Sequence, residues 1–219
     1  MDSRKFKDQI YSEFARIGKV LSSPKRLELL DLLSQSPKSV ETLAKETKMS
    51  MANTSKHLQA LLEARLVTFF KDKNYVIYQL ANQRVVNLLF SLKEVAEEQI
   101  AEINVLRNQF IVRPENIETI KLEEWSKKRL DDHYILIDVR PKAEYDNGHL
   151  DHAISIPIEE LNDSIKYLPK EKEIIVYCRG PYCVYATEAV ELLKSKGYKA
   201  YRLEAGIHEW RQLEQNQIH

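Results

Sequence analysis

The chain has 219 residues, 33 Lys and Arg against 33 Asp and Glu, 43% hydrophobic residues and two cysteines. At roughly 100–200 residues per domain, this is one or two domains with apolar content enough for packed cores, which excludes wholesale disorder and a disulfide framework. The longest apolar runs, such as Ile135–Ile137, fall far short of the ~18 residues a membrane span requires, and the first eight residues lack a signal peptide's apolar core.

The expectation is therefore a soluble, cytoplasmic protein with no membrane partner. The zero net charge hides an asymmetry. Residues 1–84 carry 15 Lys and Arg against 9 Asp and Glu, whereas residues 113–219 carry 16 against 20. A basic first part and an acidic last part fit two modules with different partners, although chance fluctuation gives such a split about as readily.

In chain order, Ser23-Pro24 opens a helix carrying Leu27, Leu30 and Leu33, which ends at Ser36-Pro37. Ser39 caps a second helix with Val40, Leu43 and Ala44 on its inner face, and Ser50 caps a third with Leu58, Leu61 and Leu62 inward. Val67–Lys71 and Tyr75–Leu80 are β-rich runs separated by the turn-like Asp72-Lys73-Asn74, a hairpin. A long helical pattern runs from about Gln83 to Gln109, too long for a small domain to cover alone. Val112-Arg113-Pro114-Glu115 marks the boundary between a domain at 1–110 and one at 111–219. Beyond it, Tyr134–Val139 and Glu173–Tyr177 are buried parallel-type strands, residues 183–196 an amphipathic helix stopped by Gly197, Tyr198–Leu203 a strand and Ile207–Glu214 a short helix. Alternating strands and helices predict an α/β parallel sheet.

Three helices followed by a hairpin are the order of a winged helix-turn-helix. A major groove about 12 Å wide admits one helix. The third helix offers it Asn53, Thr54, Ser55, Lys56, His57 and Gln59, and the hairpin tip adds Lys71 and Lys73 for phosphates or the minor groove. For His57 two readings stand, a DNA contact and a partly buried helix histidine. The stretches Leu21-Ser-Ser-Pro24-Lys-Arg-Leu27-Glu-Leu-Leu30 and Ser50-Met-Ala-Asn-Thr-Ser-Lys-His57-Leu-Gln-Ala-Leu61-Leu-Glu-Ala-Arg65-Leu-Val67 resemble the ArsR/SmtB family of bacterial repressors, over about residues 8–100. Arg65 stands where that family usually has Gly at the helix end. The resemblance implies a homodimer paired through terminal helices, which accounts for the apolar stripe of 84–106, and double-stranded operator DNA of pseudo-palindromic form as partner. The rival reading of that stripe is a linker helix packed on its own domain. Members often sense metals through Cys on the helix before the recognition helix or His on the last helix; here Ser39–Lys48 has no Cys and residues 84–110 no His. No metal and no cofactor are implied.

Both cysteines lie in Cys178-Arg179-Gly180-Pro181-Tyr182-Cys183-Val184, after a buried strand and before a helix. A thiol there meets the positive end of the helix and a cradle of backbone N–H groups, which favour a thiolate and bind anions. Arg179 adds positive charge unless its side chain points outward, and Gly180 permits the tight loop. The stretches Leu136-Ile-Asp138-Val-Arg140-Pro-Lys-Ala-Glu144-Tyr145-Asp-Asn-Gly148-His149 and Leu203-Glu-Ala-Gly206-Ile-His-Glu-Trp210, with this loop, resemble a single rhodanese domain over about residues 113–214. The resemblance implies that Cys178 accepts sulfane sulfur from a thiosulfate or polysulfide donor as a persulfide, held by the backbone N–H groups of the loop from Arg179 to Val184, in which Gly180, Pro181 and Tyr182 shape the anion site. A phosphatase of the same fold needs an Arg closing a longer loop, and the position six after Cys178 is Val184. Cys183 is either an inert thiol or a resolving one. Asp138, Arg140 and Glu144 are read as supporting groups, with Glu144 paired to Arg140, and His152 stands where the family often has Gly. Known fusions of the two modules resemble this whole chain. The expectation is a DNA-binding transcriptional regulator, by family a repressor, that senses or carries sulfane sulfur as a Cys178 persulfide. The alternatives are a sulfurtransferase whose DNA-binding-like domain serves dimerisation or localisation, and an oxidant sensor using a Cys178–Cys183 disulfide.

Overall fold

The computed structural model describes residues 2–112, 117–129 and 131–217, and the chain divides into two compact units, residues 1–96 and 97–219. Residues 113–115 of the expected boundary lie outside the described residues. Residues 97–110, placed in the first domain by sequence, group with the second unit.

The first unit runs α1 (Ser3–Leu21), α2 (Pro24–Gln35), β1 (Lys38–Ser39), α3 (Val40–Thr47), α4 (Met51–Glu63), β2 (Val67–Asp72), β3 (Tyr75–Leu80) and α5 (Gln83–Gln99), whose last three residues belong to the second unit. Pro24 sits in the first turn of α2, where its missing N–H costs nothing, but Ser23 makes no side-chain cap bond. Ser39 and Ser50 do cap, accepting from the amides of Thr42 and Asn53. The three strands form an antiparallel sheet ordered β1-β3-β2. Leu29, Leu30, Leu43, Leu58 and Leu61 are at most 1% exposed and form the core with Val67, Val85 and Leu89. The helix-turn-helix ends in two non-glycine residues with left-handed backbone, Lys48 after α3 and Arg65 after α4. Arg65 N–H donates to the Leu62 carbonyl and Leu66 N–H to Leu61, the paired bonds of a left-handed cap, so the cap forms without glycine.

The expected helix over 83–109 is broken. After α5, Ile100 is extended, followed by α6 (Ala101–Arg107) and a π-helical turn at Asn108–Val112. There is no Gly or Pro at the break. Asn104 Nδ2 donates to the freed Glu97 carbonyl, and Arg107 reaches back to the Glu97 carboxylate at 2.5 Å, so side chains hold the bend.

The second unit continues with β4 (Thr119–Ile120), α7 (Leu122–Lys128), β5 (Tyr134–Asp138), α8 (Lys142–Asn147), β6 (Ile154–Ser155), α9 (Ile158–Ser164), a 3-10 turn, β7 (Glu173–Tyr177), α10 (Tyr185–Ser195), β8 (Ala200–Leu203) and α11 (Ile207–Gln217). All strand pairs are parallel, in the order β4-β8-β7-β5-β6. Successive side chains alternate faces. Ile135, Ile137, Ile174 and Val176 pack under α9 and α10, whereas Leu136, Ile175, Tyr177 and Leu203 pack against Trp125 of α7 and Trp210 of α11. His152 does adopt left-handed backbone, the conformation that a Gly would take more readily.

Candidate functional site

In an open parallel sheet, ligand chemistry gathers outside the carboxyl ends of the strands. The loop 178–184 leaves the carboxyl end of the central strand β7. Cys178 is 1% exposed and joined to the half-buried Cys183 in a disulfide, their Cα atoms 6.3 Å apart. The pair is thus in its oxidised form, with no free thiolate at Cys178. Gly180 has φ of 128°, a conformation that a side chain would resist. The expected cradle differs in one member: the Cys183 amide donates to the Gly180 carbonyl at 3.3 Å. Val184 is exposed and α10 starts one residue later, at Tyr185.

The loop is seated on buried charge. Asp138, Arg140 and Glu144 are all 0% exposed. Arg140 forks onto Asp138 through Nε and Nη2, with Nη2 at 2.6 Å, and donates also to the Gly148 carbonyl. The sequence reading paired Glu144 with Arg140. Arg140 does feel the Glu144 carboxylate, and Glu144 also receives the fork of Arg179, at 2.9 Å from Nε and 2.6 Å from Nη2. Arg179 therefore does not extend into solvent or aim its charge at the cysteines; it ties the loop to α8. Both pairs are bidentate, the geometry that best offsets the desolvation of a buried charge. Tyr177, buried beside Asp138, has its phenol pushed well above the ordinary value, by burial first and the carboxylate second. The Leu150 amide donates to its oxygen.

Sequence reasoning missed two neighbours of the loop. Gly206, at the start of the α11 turn, lies so close that a Cβ there would fall 2.8–2.9 Å from Arg179 C, Gly180 N and Cys178 O. Arg202 on β8 is 1% exposed and donates Nη2 to the Pro181 carbonyl at 3.1 Å. Burial, with Arg107 adding like charge, pulls its guanidinium down to about 10, so it stays cationic at neutral pH. The available signal was a charge two residues from Ala200 on the strand Tyr198–Leu203, on the face that Ala200 turns inward.

In the first unit, α4 presents Asn53, Ser55, Lys56 and Gln59 to solvent, with Lys71 and Lys73 exposed on the hairpin. Lys73 takes left-handed backbone at the hairpin turn. Thr54 is a correction: it is fully buried, and its hydroxyl donates to the Ser50 carbonyl, because it shares a face with Leu58 and Leu61. His57 is half-buried. Its pKa is lowered, by desolvation first and then by Arg26, Lys56 and Lys25, which favours the neutral ring. Among the described residues no cluster of three or more His, Cys, Asp or Glu side chains is placed to hold a metal ion, and no helix is long and apolar enough to cross a membrane.

Comparison with known proteins divides the chain the same way. Residues 23–68 match the arsR family of bacterial regulatory proteins, and residues 122–213 match the rhodanese-like domain. The HTH-type transcriptional regulator Rv0324 of Mycobacterium tuberculosis is 37% identical over 205 residues, 94% of this chain and 90% of its own. The arsenical resistance operon repressor of Staphylococcus xylosus is 40% identical over 73 residues, 33% of this chain and 70% of its own. A sulfurtransferase of Allochromatium vinosum is 29% identical over 77 residues, 35% of this chain and 70% of its own.

Proposed function

We propose that this chain, which belongs to the arsR family of bacterial transcriptional regulators and carries a rhodanese-like domain as its second unit, sets its grip on operator DNA by the sulfur state of Cys178. The observation that carries the reading is the Cys178–Cys183 pair, closed across a loop at the end of β7. In the reduced protein the Cys178 thiolate attacks the sulfane sulfur of a donor. With thiosulfate, the donor S–S bond breaks, sulfite leaves, and Cys178 holds a persulfide. The Cys183 thiol then attacks Cys178 Sγ, the new sulfur departs as hydrosulfide, and the disulfide remains. The two thiols supply the electrons that reduce the sulfane sulfur, so no further oxidant enters.

A resolving thiol within the same loop favours sensing over transfer, since it competes within the molecule for the persulfide against any outside acceptor. Arg202 places a fixed cation against the loop, favouring anionic donors and the persulfide anion.

On the DNA side, Asn53, Ser55, Lys56 and Gln59 on α4 read the major groove, with His57 at the rim, while Lys71 and Lys73 meet phosphates. The partner in binding is a second copy of the chain. Phe6, Tyr11 and Phe14 on α1 are 52%, 68% and 63% exposed, and Leu88, Leu92 and Val95, at helical spacing on α5, are 42%, 37% and 57% exposed. Apolar faces of this extent mark an association surface. Two copies carry two reading heads and fit a pseudo-palindromic site in double-stranded operator DNA.

The test is a set of DNA-binding isotherms at one salt concentration for three forms: dithiol, disulfide, and Cys183→Ser protein persulfidated with inorganic polysulfide. The expected result is at least a fivefold difference between the dithiol and a modified form. Equal isotherms for all three would falsify the reading. Mass spectrometry of the loop peptide separates added sulfur from a plain disulfide.

A further inference from the structure

Resting on that reading, a disulfide that records a sulfur signal must be reopened before the protein responds again, and its two sulfurs are not equally open to the attack that does so. A disulfide is broken by a thiolate that bonds to one sulfur and expels the other. The sulfur that can be reached therefore decides which cysteine is modified and which is released. Cys178 is 1% exposed and belongs to the buried cluster that holds Val176, Ala186, Ala189 and Val190. Cys183, five positions on, is only partly buried against that cluster, and the next residue, Val184, is 40% exposed.

The anchors of the loop keep these roles apart. On one side the backbone at Gly206 lies so close that a Cβ there would fall 2.9 Å from the Cys178 carbonyl oxygen. Arg179 is forked onto the buried Glu144, and the Pro181 carbonyl accepts from the buried Arg202. The Cys183 amide donates to the Gly180 carbonyl at 3.3 Å, inside the ring that the disulfide closes. A loop held at residues 178, 179 and 181 keeps its Cys178 end buried while the bond is closed. Its Cys183 end is the one that solvent reaches.

We propose that Cys183 is a thiolation site: a small external thiolate attacks Cys183 Sγ, the Cys178–Cys183 bond breaks, and Cys178 departs as the thiolate. The first product is a mixed disulfide on Cys183. A second external thiolate then attacks the sulfur of the added thiol, the mixed bond breaks, and Cys183 is released. Two external thiols are oxidised to one disulfide, and one protein disulfide is reduced to two thiols. The protons that the external thiols give up pass through solvent to the two cysteines. Cys178 is thus restored one step before its resolving partner, and each molecule passes through a form that has its sulfur acceptor but no free resolving thiol.

The experiment uses full-length protein closed to the disulfide with diamide, so that it does not depend on a sulfur donor. Reduced glutathione is added, and early samples are quenched in acid, alkylated with N-ethylmaleimide and digested with trypsin. Cleavage after Arg179 leaves Cys178 on residues 173–179 and Cys183 on residues 180–194, so mass spectrometry reads each cysteine separately. Glutathione on residues 180–194 is expected to exceed that on residues 173–179 by roughly tenfold or more, with N-ethylmaleimide on Cys178 rising in step. In guanidinium chloride the preference falls to within about threefold, because unfolding erases the difference in access. Equal adducts on the folded protein, a preference for Cys178, or a preference that survives unfolding would overturn the assignment. A folded disulfide inert to glutathione that opens the unfolded chain would overturn it as well. Equal DNA isotherms for the dithiol and disulfide forms would instead sink the sensing reading and leave the thiolation site standing, since the peptide map involves no DNA.

Discussion

The two units handle charge in opposite ways. On α4 and the hairpin, Asn53, Lys56, Gln59, Lys71 and Lys73 are exposed. Under the cysteine loop, Asp138, Arg140 and Glu144 are sealed at 0% exposure, with both arginine forks satisfied by carboxylates. An exposed lysine gains little until a phosphate arrives, and that gain is weakened by salt. A buried fork is preorganised and only weakly screened, but it tolerates no missing partner. The comparison teaches that one unit leaves its cations open, as a surface for a polyanion does, and the other seals its charges in pairs to fix a loop in place.

Substitutions should break this contrast unequally. Asp138→Ala leaves Arg140 buried without its main counter-charge, and a loss of about 3–5 kcal/mol is expected in denaturant unfolding of the full chain. Gly206→Ala drives a Cβ into the backbone of Arg179 and Gly180; we expect about 2–3 kcal/mol of destabilisation, with slower persulfide formation by thiosulfate assay, because the loop is displaced. Lys71→Ala should leave melting unchanged, weaken operator binding and lower the slope of log affinity against log salt by about one. An unchanged slope would remove Lys71 from the phosphate contacts.

Smaller effects sharpen the first unit. Arg65→Gly relieves left-handed backbone and should raise stability by about 0.5–1 kcal/mol. His57 has a folded-state pKa below its unfolded value, so its contribution is complete above about pH 6.5 and declines as the pH falls, when the unfolded chain takes the proton first. His57→Gln should flatten that part of the pH dependence of unfolding.

What the sequence disclosed follows the range of the interactions. The Ser39 and Ser50 caps were legible because a hydroxyl and an amide three residues on are enough to make them. The hairpin was legible from its β-rich runs and turn residues, and the parallel sheet from alternating strands and helices. Thr54 was misread among polar neighbours, yet its spacing of four and seven from Leu58 and Leu61 placed it inward. The bend at Ile100 was hidden, since the bonds that hold it join residues 7 and 10 apart and no breaker marks the position. The second partner of Glu144 was hidden for the same reason at greater length: Arg179 lies 35 residues away, on the other side of two strands. Arg202 was overlooked because strand composition says nothing of the carbonyl beyond it.

The two cysteines are only five positions apart. In a chain-entropy picture, so small a ring restrains the unfolded chain by about 2 kcal/mol, against nearly 5 for a 100-residue ring. On the proposed sulfur chemistry, opening and closing so small a ring therefore changes the stability of the fold only slightly, and the domain need not pass through a denatured, aggregation-prone form. A sensor of the proposed kind is then reusable after each episode of chemical stress instead of being resynthesised.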